Sequence, residues 1–171
     1  MELWDLYSAD RTKLDRTHVR GARLPDDGYH LVVHVWITRP DGRILLSRRA
    51  ASRPTFPLLW ECVGGSVLAG EDSLAGACRE AYEEVGIRLS PANGKLLFTK
   101  TRHDSDGKRY HDILDVWHFV TDAMPDLAAA TTDEVCETRE VTPDTLRALD
   151  AEGLLVPNLR YATTADFWKN L

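Results

Sequence analysis

Residues 72–86 read DSLAGACREAYEEVG. Leu74, Ala77, Cys78, Ala81 and Val85 recur at i, i+3, i+4, i+7 and i+11, an apolar stripe along one face of a helix. Gly86 stands where a helix C-terminus favours glycine. Glu80, Glu83 and Glu84 stand at i, i+3 and i+4, so three carboxylates share a neighbouring patch. Like charges at that spacing cost an isolated helix roughly 0.2–0.5 kcal/mol per pair. Carboxylates in a last turn also oppose the helix macrodipole, by roughly 0.3–1 kcal/mol each. A helix shaped for stability alone would carry Lys or Arg here. A divalent cation removes the conflict, because hard cations such as Mg²⁺ take oxygen ligands together with substrate phosphates.

The loop before this helix fits the same chemistry. Gly64 and Gly65 let the backbone approach a ligand and expose its carbonyls. Glu71 lies at the loop–helix junction, where a carboxylate suits the helix N-terminus. From there it is also within reach of Arg79.

Strand patterns surround the helix. HLVVHVWIT (30–38) alternates, with Leu31, Val33, Val35 and Ile37 on one face, and RPDG (39–42) turns it into RILLSRR (43–49) as a hairpin. Prolines and glycines break residues 50–70, leaving room for a short strand around 60–63. KLLFTKTRH (95–103) and DILDVWHFV (112–120) read as two strands joined by DSDGKRYH. An alanine- and threonine-rich linker (126–133) precedes a short strand in ETREVT (137–142). TPDTLRALDAEG (142–153) has a Thr cap, a Pro in the first turn and a closing Gly, so it predicts a helix; ADFWKNL adds a terminal helical turn. Residues 2–24 form a hairpin-like arm. Strands and helices in this order predict an α/β chain with a central mixed sheet.

The bulk properties narrow the partners. At 171 residues the chain suits a single domain, 1–171, with an arm at 1–28. Lys+Arg number 21 against 27 Asp+Glu, a net charge of −6, which disfavours wholesale binding to nucleic acid or to an anionic membrane. A phosphate-bearing ligand therefore needs a metal or a local arginine cluster. The three cysteines, Cys62, Cys78 and Cys136, show no C-x-x-C spacing and read as reduced thiols of a cytoplasmic protein. No apolar run approaches the length that crosses a membrane, and the first ten residues do not resemble a signal peptide.

Gly65-x5-Glu71-x7-Arg79-Glu80-Ala81-x-Glu83-Glu84-x-Gly86-Ile87 resembles the signature of the Nudix hydrolases. Ala81 stands where that family more often has a bulkier aliphatic residue. The signature covers 65–87, within a loop–helix box at 64–87, and the flanking strands and C-terminal helix are similar to the family's α/β/α sandwich. The arm and the stretch PTFPLLWECVGG look like the subgroup related to isopentenyl-diphosphate isomerase.

The resemblance implies a hydrolase that cleaves the diphosphate linkage of a nucleoside diphosphate derivative or related organic diphosphate, by water attack on phosphorus with Mg²⁺ or Mn²⁺. It implies that Glu80, Glu83 and Glu84 hold the metal with help from the Gly64 carbonyl, and that Arg79 and Glu71 orient them. The general base is one of these glutamates or a carboxylate near the last strand, Glu134 or Glu137. Arg48 and Arg49 are candidates for contacting substrate phosphates. Cys62 does not stand in the isomerase's cysteine context. Trp36, Trp60, Trp117 and the strand histidines read as core or pocket wall, with His111 and His118 closest to a pocket role. Two alternatives remain, an isomerase acting on isopentenyl diphosphate and a non-catalytic nucleotide-binding module. Both the substrate and a homodimer are left open.

Overall fold

The computed structural model describes residues 1–103 and 111–169; most of the expected 104–111 connection thus lies outside the described residues. Strand β1 (Leu3–Tyr7) pairs antiparallel with β2 (Lys13–Val19) in a separate two-stranded arm. The main sheet contains β3 (His30–Thr38), β4 (Ile44–Arg49), β5 (Trp60–Glu61), β6 (Val63–Ser66), β7 (Lys95–Arg102), β8 (Asp112–Val120) and β9 (Val135–Val141). Helix α1 (Ser73–Val85) follows β6, and α2 (Pro143–Ala151) follows β9.

Strand β3 is central. One edge runs parallel to β8 from His30↔Asp112 to Thr38↔Val120. Its other edge is shared, with β4 paired at Ile37↔Leu45 and Thr38↔Ile44, and β6 paired from Val32↔Ser66 to Val35↔Val63. The hairpin read at 30–49 is therefore paired only next to its turn. Strand β4 then takes β9 along its length and β5 at its end. Antiparallel and parallel ladders in one sheet make it mixed, as the element order implied. The single short strand expected at 60–63 is split at Cys62 into β5 and β6.

Each face of the sheet is covered by a helical layer. Leu31, Val33, Val35 and Ile37 pack with Val63, Val67 and the α1 residues Ala77, Ala81 and Val85. Between these positions, Trp36 faces the opposite core with Ile44, Leu46, Leu114, Val116, Leu146, Leu149 and Leu159. Burial on both faces suits a central strand, whose two alternating sets must each find a cover. That second cover is α2 plus a 3₁₀ segment, Pro157–Thr163, rather than a helix at the terminus. Residues 165–169 form turns, because Trp168 packs edge-on against Trp36 and donates its Nε1–H to the Ala162 carbonyl. Buried contacts there outweigh the helical tendency of the segment.

The arm is docked onto the box loop and onto the sheet. Tyr7 of the arm exchanges two backbone hydrogen bonds at 2.8 Å with Tyr29, the residue just before β3. Asp5 accepts from Lys13 Nζ (2.6 Å) and from the backbone N–H of Gly70 (2.8 Å). Arg11 reaches the fully buried Asp115 in a two-armed pair, and Thr99 donates to the same carboxylate at 2.6 Å.

Candidate active site

Helix α1 begins at Asp72, whose side chain accepts the N–H of Ala75, and ends at Gly86 in the left-handed conformation, φ 69°. The helix end that the three glutamates burden with charge is densely supplied with donors. Gly86 N–H reaches the Tyr82 carbonyl and Ile87 N–H that of Ala81. The 126–132 linker adds the Asp126 N–H to Val85, and the N–H groups of Thr131 and Thr132, with the Thr132 hydroxyl, to Glu83. These donors answer the partial negative charge of the helix terminus that would otherwise repel the carboxylates. They also draw the linker and Glu134 to the glutamates.

A pocket here is bordered by Gly64, Gly65, Arg79, Glu80, Glu83, Glu84 and Glu134. Arg79 organises it. Its Nε–H donates to both oxygens of Glu71 (2.9 and 3.1 Å), Nη1 to Glu80 (2.9 Å) and Glu83 (2.7 Å), and Nη2 to the Ser66 carbonyl (2.9 Å). A planar guanidinium presents these donors in a fixed fork, which an ammonium cannot do. Burial alone would lower its proton affinity, but Glu71, Glu80 and Glu83 more than offset that and hold Arg79 protonated.

The three glutamates differ in setting. Glu84 is 4% exposed and accepts the Gly64 N–H at 3.3 Å; burial, then the nearby Glu61 and Glu80, push its carboxyl well above the usual range. Burial also raises Glu80, with Glu83 and Glu134 adding to the rise and Arg79 opposing it, so that it titrates at about 7. Glu83 is the most exposed of the three. Gly65 faces Glu80 so closely that a Cβ there would lie 2.4 Å from its Oε1.

Among the described residues no three carboxylate, imidazole or thiol groups already converge as a metal ligand set. Arg79 Nη1 bonds both Glu80 and Glu83 instead. The donor chemistry nevertheless suits a hard divalent cation, since the oxygens are carboxylates or backbone carbonyls and two of the carboxylates are buried with raised proton affinity. The ionised form of such carboxyls bears negative charge that the surroundings do not neutralise, which is why they retain their protons and why a cation would be favoured there.

The other candidates lie at varied distances from this pocket. Glu134 borders it and pairs with Arg53 Nη1 at 2.5 Å. Glu137 instead pairs with Arg48 on the β4–β9 ladder, where Arg48 also lies over the Trp60 ring. Arg49 is bonded to Glu61 and Thr55 and borders a neighbouring pocket on the far side of Gly64 and Gly65. Cys62 is buried, and desolvation raises its thiol pKa, which disfavours the thiolate. His118 is buried against Thr38, His111 stacks on Tyr29, and Trp36 and Trp60 are core residues. Trp117 donates to Ser73 Oγ at the start of α1.

Five pocket residues had no signal in the sequence: Arg53 and Thr132, each in an irregular segment, Ser66 at the end of β6, Glu2 just before β1 and Arg20 just beyond β2. No periodicity or spacing distinguishes them from solvated loop residues.

The architecture is thus a mixed-sheet α/β sandwich that presents a carboxylate-bearing helix end beside a glycine pair. A sequence model of the NUDIX domain matches residues 28–160. An uncharacterized Nudix hydrolase of Listeria monocytogenes is 32% identical over 176 residues, spanning 98% of this chain and 100% of the relative. The crystal structure of a Deinococcus radiodurans protein superposes with a TM-score of 0.74, covering 95% of this chain and 97% of that one at 22% identity. A MutT NUDIX hydrolase from Burkholderia pseudomallei superposes with a TM-score of 0.61 at 26% identity, covering 78% of this chain and 95% of that one. The chain belongs to the Nudix family and is a Nudix hydrolase, an enzyme class that acts on diphosphate-containing substrates and generally uses divalent metal ions. Among the described residues no helix is long and apolar enough to cross a membrane.

Proposed function

We propose that the chain is a Mg²⁺- or Mn²⁺-dependent pyrophosphohydrolase that cleaves the diphosphate linkage of a nucleoside diphosphate derivative or a related organic diphosphate. The observation that carries this reading is the convergence beside Gly64–Gly65 of two proton-retaining carboxylates, Glu80 held by the Arg79 fork and the buried Glu84 held by the Gly64 N–H. Glu80, Glu83 and Glu84, with the Gly64 carbonyl, would hold the cation. When bound, the cation supplies charge neutralisation for the phosphates and lowers the pKa of a water molecule.

The chain's own residues do the rest. Arg79, tied to Glu71, fixes the glutamate side chains so that their rotamers are set before substrate arrives. The absence of a side chain at Gly65 lets the Glu80 carboxylate lie against the loop backbone. Glu134 is the carboxylate we assign to take the proton from the attacking water, since it borders the glutamate pocket whereas Glu137 is engaged with Arg48 on the sheet. An isomerase reading has less support, because Cys62 is buried in the core with a raised pKa.

The test is a panel of nucleoside diphosphate sugars, dinucleoside polyphosphates, nucleoside triphosphates and non-nucleotide diphosphates, each assayed with Mg²⁺, with Mn²⁺ and with EDTA. Product release with metal and none with EDTA is expected. An inactive enzyme across the panel with both metals, or turnover undiminished by EDTA, contradicts the reading.

A further inference from the structure

The N-terminal arm is placed to be more than a brace. The segment just after β2 brings Arg20 to the rim of the glutamate pocket, and the loop after β4 brings Arg53 to the same pocket. The NUDIX match begins at residue 28, so Arg20 comes from outside it. Each arginine is paired with a carboxylate that also borders the pocket: Arg20 Nη1 with Glu2 at 2.6 Å, and Arg53 Nη1 with Glu134 at 2.5 Å. The Arg20–Glu2 pair is about half exposed on both sides, so its net worth is small and it exchanges readily. Arg53 is less exposed, and its buried Nε–H has no hydrogen-bond partner among the described residues. A buried guanidinium donor without an acceptor costs stability unless a ligand satisfies it.

We propose that Arg20 and Arg53 form a phosphate clamp, binding the oxygens of the substrate's diphosphate on the side of the pocket opposite α1, so that the arm is part of the substrate site. The proposal deepens the diphosphate-hydrolase reading and rests on it for the ligand class. Arginine suits the role because its fork matches phosphate oxygens and stays charged. In a chain of net charge −6 a local cationic wall adds to the cation's neutralisation of a polyanionic ligand. On binding, Glu2 and Glu134 exchange their arginine partners for solvent, and Glu134 is left free of its ion pair beside the reacting phosphate. Arg20 also feels the charges of Glu134 and Glu80, after that of Glu2, which fits its position across the same pocket.

The test uses methylenediphosphonate, a diphosphate analogue whose P–C–P bridge cannot be hydrolysed, titrated calorimetrically into the 171-residue chain with saturating Mg²⁺. R20A and R53A should each weaken binding by about 10-fold or more, a loss typical of a charge-assisted hydrogen bond. R20K should restore part of the loss. E2Q should move the other way and tighten binding, since it removes the competing carboxylate. A merely structural Arg20–Glu2 pair makes R20A and E2Q behave alike, and that result overturns the proposal. Unchanged affinity in both arginine variants overturns it as well, as does a wild-type protein that does not bind the analogue. Binding requires no turnover, so failure of the hydrolase reading would appear separately, as an enzyme that binds the analogue yet cleaves nothing.

Discussion

Asp5 Oδ2 accepts the backbone N–H of Gly70 at 2.8 Å, joining the first strand of the arm to the loop that leads into α1 across 65 positions of sequence. The neighbouring Ala69 N–H donates to the Leu3 carbonyl at 2.8 Å, so two successive points of the loop hang on one strand. Burial would raise the Asp5 carboxyl, yet Gly70 and Lys13 outweigh it and keep its pKa below the usual value.

Asp5→Ala should therefore cost on the order of 1 kcal/mol, the usual net worth of a part-buried hydrogen bond, read from chemical denaturation. Because the native-state pKa is depressed, the wild-type contribution is present above the ordinary carboxylate pKa and fades as pH falls through the lowered one. The stability difference between wild type and Asp5→Asn should accordingly shrink in acid. A difference that stays constant down to low pH would remove Asp5 from the account.

Arg79 supports four acceptors at once, so its loss should act through the glutamates. Arg79→Ala should raise the Mg²⁺ concentration needed for half-maximal activity by roughly 10–100-fold, the usual cost of losing a group that orients metal ligands. Arg79→Lys should recover little of this, because one ammonium cannot serve Glu71, Glu80 and Glu83 in the observed geometry. An unshifted Mg²⁺ dependence in Arg79→Ala would contradict the orienting role.

The raised pKa of Glu80 gives a pH signature in the metal-free protein. A carboxyl that titrates at about 7 when folded but near 4.5 when unfolded favours the native state below 4.5, and that advantage is lost as pH rises to 7. The shift corresponds to on the order of 3 kcal/mol. Melting temperature in EDTA should thus fall between pH 4.5 and 7, and Glu80→Gln should flatten the slope. Added Mg²⁺ should stabilise more at pH 8 than at pH 5.5, where protons compete for the same oxygens. Equal stabilisation at both values would mean that these carboxylates do not take the ion.

Two glycines test the geometry of the box from opposite ends. Gly65→Ala places a Cβ 2.4 Å from Glu80 Oε1, so activity should be lost while much of the fold survives. Gly86→Ala meets the Asp126 carbonyl at 2.1 Å and must adopt φ 69°, so it should lower stability and detach the linker that carries Thr132 and Glu134. Thermal melts beside initial rates separate the two effects; the reverse pattern would contradict the assignment.

The sequence spoke most clearly where the interactions are local. Helix α1 runs from Ser73 to Val85, within a residue of the reading, because its stripe and closing glycine are written in consecutive positions. The apolar alternation of 30–38 located β3, and the turn at 39–42 placed β4 beside it, but that this edge is shared with β6 is a long-range choice. Arg48 and Arg49 looked suited to phosphates, yet the register opposes Arg48 to Glu137, and Arg49 reaches Glu61. Arg20 and Arg53 come to the pocket by tertiary docking of the arm and of the loop after β4, which no spacing rule encodes. Trp168 shows the same limit, since its packing on Trp36 displaced the helical turn that its neighbours favour.

The central claim is that the α1 carboxylates act through a divalent cation on a diphosphate, and Glu84 is its sharpest probe. Glu84 is buried, accepts the Gly64 N–H, and changes little in size on conversion to glutamine. On the best diphosphate of the panel, with saturating Mg²⁺, Glu84→Gln should lower kcat by about 10³-fold while the protein melts at or above the wild-type temperature in EDTA. A variant that retains kcat within a few fold of wild type under those conditions would contradict the account.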